Sequence, residues 1–273
     1  MMRFPPRLKW DLARVRIAQK VFASSRRPPV LHLDLADFPA QSELPLGAVA
    51  DFSSPASSRD SHVLAHVREN TAPVVWIGGD IPLRYPRIGH LARDIINLDR
   101  TVFIEADGTL LRRRIHEFRP VSRFYLVLPL NGQETTHDRR ARQPGNFRAT
   151  IESIRTAKLS GFHICVETTI FADTEPSELR ELAAFIHKLD IDGWIQKSPA
   201  AVSAQPTEEK LTASRKLIPN PSWRRFSEHL TLGAPQAEFA CGEVGNVRSS
   251  TQPNLPTQPN QELPTQEESA RAL

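Results

Sequence analysis

Four acids and a lysine stand at or just after the ends of short apolar runs. Asp34 follows VLHL, Asp80 follows VVWIGG, Glu105 ends TVFIE and Glu167 follows HICV. Gathered at one mouth, such carboxylates can bind a cation or exchange protons with a substrate. Lys197 ends GWIQK, where a buried amine could form a Schiff base with a carbonyl. A second set of small and polar residues follows the same runs: Gly78 and Gly79, then Asp107, then Asn131 and Gly132. A Gly-Gly pair is also what a tight strand-to-helix turn requires. His62 and His66 fall one helical turn apart, the spacing of a metal pair, but two imidazoles alone also fit a solvated helix face.

The elements that must position these residues repeat as strand, loop and helix. Strands are expected near 30–35, 73–78, 101–105, 123–129, 162–169 and 193–197. Helices are expected at 61–69, 86–98, 110–118, 147–159 and 176–188, with Gly161 as a C-cap after the fourth. Alternation of this kind implies a parallel sheet with its working edge at the strands' C-terminal ends. Six such units curl into an α/β fold, a partial (β/α)6 TIM-like barrel. The segments 36–58 and 131–146 read as long loops, and loops of such length are usually functional or disordered.

Both ends differ from this repeat. Leu8 to Phe22 reads as a helix with Leu8, Leu12, Val15, Ala18 and Phe22 on one stripe and Arg14, Arg16 and Lys20 off it. Between Met1 and Arg27 there are eight Arg or Lys and one acid, Asp11. Such a helix either closes the bottom of the domain or lies on a membrane surface. After Pro199 the pattern fades, with 223–230 as a short helix. From Asn246 the chain is rich in Gln, Pro, Asn and Thr and reads as a disordered tail. The division expected is therefore an N-terminal amphipathic helix at 1–29, a barrel at 30–199, a C-terminal extension at 200–245 and the tail at 246–273.

The 273 residues carry a net charge of only +4, so no nucleic-acid partner is expected. The only two cysteines, Cys165 and Cys241, exclude a disulfide scaffold and fit a reducing cytosol. No signal peptide is read at the N-terminus, and no apolar run approaches the roughly 18–20 residues that span a bilayer. A cytoplasmic protein is expected, with peripheral membrane contact open through the basic helix.

The residues resemble the radical S-adenosylmethionine (radical SAM) superfamily, and within it the hopanoid-biosynthesis radical SAM proteins, the adenosylhopane synthases. RRPPVLHLDL resembles that family's first strand, and APVVWIGGDIPL resembles its APVVSIPGGEPL region. TIESIRTAKLSGFHICVETTIFADTEP and LDIDGWIQKSP resemble its fourth helix with its fifth and sixth strands. The likeness spans roughly residues 12–245 and is most specific over 145–199. It implies a S-adenosylmethionine pocket lined by Gly78, Gly79, Asp80, Asn131, Glu167 and Thr169. A gap-free alignment places Ile81 opposite the family's cofactor-contacting Glu, so either Asp80 substitutes by a local shift or the contact is lost.

The family also holds a [4Fe-4S] cluster on a CxxxCxxC loop after the first strand. Here that loop reads ADFPAQSELPLG, with Pro39, Glu43 and Leu46 near the cysteine positions. Iron–sulfur clusters are held by cysteine thiolates, so no cluster is expected. The first expectation is a non-catalytic binding or partner paralogue, its partner being a related radical SAM enzyme. The alternatives are a superfamily enzyme whose cluster is held otherwise, and a barrel enzyme working through Asp34, Glu105 and Glu167 or through Lys197.

Overall fold

The computed structural model describes residues 2–21, 28–38, 58–79, 82–199 and 202–233. Six strands hydrogen-bond in chain order, every pair parallel: β1 Val30–Asp34, β2 Val74–Gly78, β3 Thr101–Glu105, β4 Phe124–Pro129, β5 His163–Thr169 and β6 Gly193–Lys197. Strands β2, β3 and β4 are apolar runs buried on both faces, the pattern of a parallel sheet covered on two sides, whereas edge strand β1 leaves His32 and Asp34 half-buried. The sheet is curled into half a barrel, as the sequence predicts.

Nine helices occur among the described residues. They are α1 Pro6–Val21, α2 Ser58–Glu69, α3 Ile88–Asn97, α4 Gly108–Arg114, α5 Glu134–Ala141, α6 Asn146–Leu159, α7 Pro176–Lys188, α8 Glu208–Arg215 and α9 Pro221–Gly233. Helices α3, α6 and α7 bury Leu91, Ile95, Ile154, Leu182 and Ile186. Gly161 ends α6 at φ +83, the left-handed conformation that favours glycine. Helix α3 starts at Ile88, two residues later than the expected bound at Pro86. Two helices depart from expectation. The segment read as a loop at 131–146 contains α5, and the region where the repeat fades contains α8.

The concave face carries ordered rows, because alternate residues of paired strands share a face. One row runs His32, Trp76, Phe103, Tyr125, His163, in register across β1 to β5. Trp76 stacks on Phe103 at 5.5 Å, and Phe103 stacks on Tyr125 at 4.7 Å. Helix α9, from the expected C-terminal extension, packs against both edge strands, β6 and β1. It lays Phe226 at 5.3 Å from Phe103 and Trp223 at 6.4 Å from Tyr125. Phe4 meets Trp223 edge-on at 4.8 Å, and Asn220 Nδ2 donates to the Met2 carbonyl.

Helix α1 buries Leu8 and Leu12 in the core, as a bottom-closing helix must. Its stripe is narrower than expected: Val15 and Ala18 are half-buried, and Phe22 falls outside the described residues. Also outside are Asp80, the positions from Pro39 through Leu46, Cys241 and the tail. Among the described residues no helix is long and apolar enough to cross a membrane.

Candidate functional site

Two residues beyond the aromatic row, the same concave face turns polar. Asp34, Gly78, Glu105, Val127, Cys165 and Gly193 form the next row in register. Glu167 and Lys197 stand further toward the mouth as diagonal neighbours on β5 and β6, where Thr169 pairs with Lys197. Lys197 Nζ lies 2.8 Å from Glu167 Oε1 and 3.2 Å from Glu105 Oε1. Trp76 Nε1 donates to the same Glu105 oxygen at 2.8 Å. The curl of the sheet thus brings a carboxylate on β3 to an ammonium on β6.

Burial lowers the pKa of Lys197, but the charges of Glu167 and then Glu105 outweigh it and raise the pKa overall. It is held as an ammonium. Glu167 is 6% exposed, and desolvation pushes its carboxyl up to about 7 despite the neighbouring lysine. Its Oε2 has no hydrogen-bond partner among the described residues, and neither has His32 Nε2. Desolvation lowers the pKa of His32, so its ring is neutral.

The sequence-predicted residues divide into groups. Asp34, Glu105, Glu167 and Lys197 converge on the mouth. Gly78 and Gly79 border it, and their small size serves these acids. A Cβ on Gly78 would come within 2.9 Å of the Glu105 carboxyl carbon, and one on Gly79 would overlap the Asp34 carboxylate. Gly79 also has φ +94, a conformation that strains other residues. Asp34 itself accepts a hydrogen bond from Ala36 N at 2.9 Å, capping the turn that follows β1.

Asn131 and Thr169 are joined to each other. The Thr169 N–H donates to Asn131 Oδ1 at 2.8 Å, while Asn131 N donates to His137 Nδ1. These bonds tie α5 to the end of β5, so the carbonyl of the Asn131 side chain is engaged by the fold. Asp107 caps α4, accepting from Thr109 N and Leu110 N. His62 and His66 are exposed, and no group of three or more metal-binding side chains occurs among the described residues. Trp76 and His32 were not picked out by the sequence reading. The signal that finds them is alternation: each stands two residues before a residue of the polar row.

The architecture matches solved structures. SuiB of Streptococcus suis bound to S-adenosylmethionine gives a TM-score of 0.54 at 17% identity, covering 75% of this chain and 47% of that one. TYW1 with a lysine-pyruvate adduct bound gives 0.44 at 16% identity, covering 54% of this chain and 49% of that one. A domain of pyruvate-formate lyase-activating enzyme from Bacteroides vulgatus gives 0.40 at 14%, covering 52% of this chain and 91% of that one. The SuiB comparison shows a likeness of fold alone, consistent with a partial TIM-like barrel of radical SAM type. The chain spans about half the length of the SuiB and TYW1 chains, 47% and 49%. No protein-family model matches the chain, and no curated protein matches it.

Proposed function

We propose that this chain is a binding or partner protein on the radical SAM fold, one that holds no [4Fe-4S] cluster of its own and does not cleave S-adenosylmethionine unaided. The observation that carries this is the donor set at the mouth. Among the described residues it consists of the Glu105, Glu167 and Asp34 carboxylates and an ammonium, with one thiol, Cys165, fully buried on the same face. Burial raises the Cys165 pKa well above its ordinary value, so it stays a protonated thiol and a poor ligand for iron. With two cysteines in the chain, three thiolates are not available. The residues present do not fit the cluster, since hard carboxylate oxygens are poor substitutes for soft thiolate.

Ligand binding needs none of this. SuiB, which shares the fold, is bound to S-adenosylmethionine. The backbone at Gly78 and Gly79 and the walls at Thr169 and Glu167 support weak binding of its adenosine part here. The likeness to the adenosylhopane synthases makes a related radical SAM enzyme the partner we infer.

A second reading rests on Glu167. A buried carboxyl poised near pH 7, with one oxygen free, is placed to exchange protons with a bound molecule, as in a barrel enzyme with an acid-lined mouth. The Lys197 nucleophile reading loses support, because an ammonium held by two carboxylates has no free electron pair.

The test is anaerobic reconstitution with iron and sulfide, reduction, and chromatography for 5′-deoxyadenosine, beside calorimetric titration with S-adenosylmethionine. Sub-stoichiometric iron and no 5′-deoxyadenosine above a no-protein control are expected. Stoichiometric iron with 5′-deoxyadenosine would overturn the proposal.

A further inference from the structure

Helix α1 presents two apolar faces. Leu8 and Leu12 point into the core, whereas Trp10 and Ile17, seven residues apart and so on one line of the helix, are 70% and 62% exposed. They stand opposite Leu8 on the helical wheel. An exposed tryptophan beside an exposed isoleucine is a surface without a partner among the described residues, and the charges around it indicate what covers it. Lys9 flanks the pair on one side and Arg7 and Arg14 on the other, all exposed. The nearest acids are Asp11, half-buried, and Asp99, which is flanked by Arg7 at 3.2 Å and Arg123 at 2.6 Å.

The geometry points to an anionic membrane surface as the partner of this face. An apolar centre with cations along both margins lies in the plane of a bilayer interface, its rings and branched chains among the upper acyl groups and its cations at the headgroups. The long Lys and Arg stems reach outward from such a position while their charged ends stay in water. The helix is well braced for the role. Arg16 hydrogen-bonds His229 of α9 at 2.8 Å, and the preceding Phe4 packs on Trp223 and Phe226. Arg7 meets Asp99, which precedes β3, so the first turns of α1 lie at the N-terminal end of the strands. The inference rests on α1 alone and is independent of the function proposed above.

The test is co-sedimentation of the full chain with vesicles of phosphatidylcholine, with or without phosphatidylglycerol. Partition onto the anionic vesicles only is expected, with release in about 1 M salt, where the Debye length falls to about 3 Å. Trp76, Trp194 and Trp223 are at most 3% exposed, so a blue shift of tryptophan emission on binding reports Trp10. Trp10→Ser with Ile17→Ser should lower the partition coefficient at least about tenfold. Lys9→Gln with Arg14→Gln should lower it by a similar factor at low salt. All four sites are solvent-facing, and circular dichroism checks that the variants fold. No partition at low salt, or equal partition of the Trp10/Ile17 variant, would overturn the inference. A dimer in light scattering that the same variant dissolves would also overturn it, assigning the face to a second copy.

Discussion

Lys197 Nζ stands 2.8 Å from Glu167 Oε1 and 3.2 Å from Glu105 Oε1, one ammonium shared by carboxylates from strands that are not neighbours. Strands β4 and β5 separate β3 from β6, so this pairing exists only while the sheet is curled. The ion triad therefore reports closure of the half-barrel as well as the chemistry of its mouth.

Replacing Lys197 by Ala leaves two carboxylates facing each other. Breaking a buried ion pair costs several kcal/mol, but the Lys197 side chain is 36% exposed and water screens part of the loss. A destabilisation of about 2 kcal/mol is expected, a melting shift of roughly 4–8 °C for a domain of this size. Lys197→Ala combined with Glu167→Gln should recover part of it, since one charge is then removed. A double variant no more stable than Lys197→Ala would show that the carboxylates do not repel.

Glu167 sets a pH dependence whose sign is fixed by its shift. Its carboxyl titrates near 7 in the fold and near 4.5 when unfolded. Between these values the native state binds the extra proton, so stability falls as pH rises. The benefit is complete below the unfolded value and lost as pH passes through about 7. Melting curves of Glu167→Gln should be flatter than those of the unaltered chain across this window. Parallel curves would place the titration elsewhere.

The protonated state of Lys197 predicts its reactivity. Incubation with pyruvate and cyanoborohydride at neutral pH should leave Lys197 unmodified in peptide mass spectra. Glu105→Gln with Glu167→Gln, which removes both counter-charges, should make it the more reactive. A Lys197 adduct in the unaltered chain would restore the nucleophile reading.

Gly193 is the seat of the Trp223 ring. A Cβ there would come within 2.5 Å of Trp223 Cζ2. Gly193→Ala should cost about 1–3 kcal/mol by overpacking. Trp223→Phe in the same chain should offset part of the cost, and this coupling is measurable in a double-mutant cycle. Strict additivity would mean the ring does not rest on Gly193.

The strands and their order were legible because parallel strands buried on both faces write apolar runs such as Val74–Ile77 and Phe124–Leu128. Helix α5 was not legible, because its sequence ETTHDRRA offers no apolar stripe. Its buried residue, His137, is fixed instead by Asn131 N and by Asn146 Oδ1 at 3.2 Å. Helix α8 likewise buries Leu211 beside Ser214 and Arg215. At the site, Asp34, Glu105, Glu167 and Lys197 were readable as strand ends. Their pairing was not, because contact between β3 and β6 depends on curvature that no local pattern records. The role of α9 also escaped, since Trp223 and Phe226 both meet Phe103, on a strand far earlier in the chain.

Those distant partners also set an order in time. Phe103 and Tyr125 leave the ribosome long before the helix that packs on them. At synthesis rates of about 5–20 residues per second the interval is on the order of ten seconds. Throughout it the aromatic row has no α9 to cover it, which makes elongation the stage at which this chain is most open to aggregation or chaperone capture.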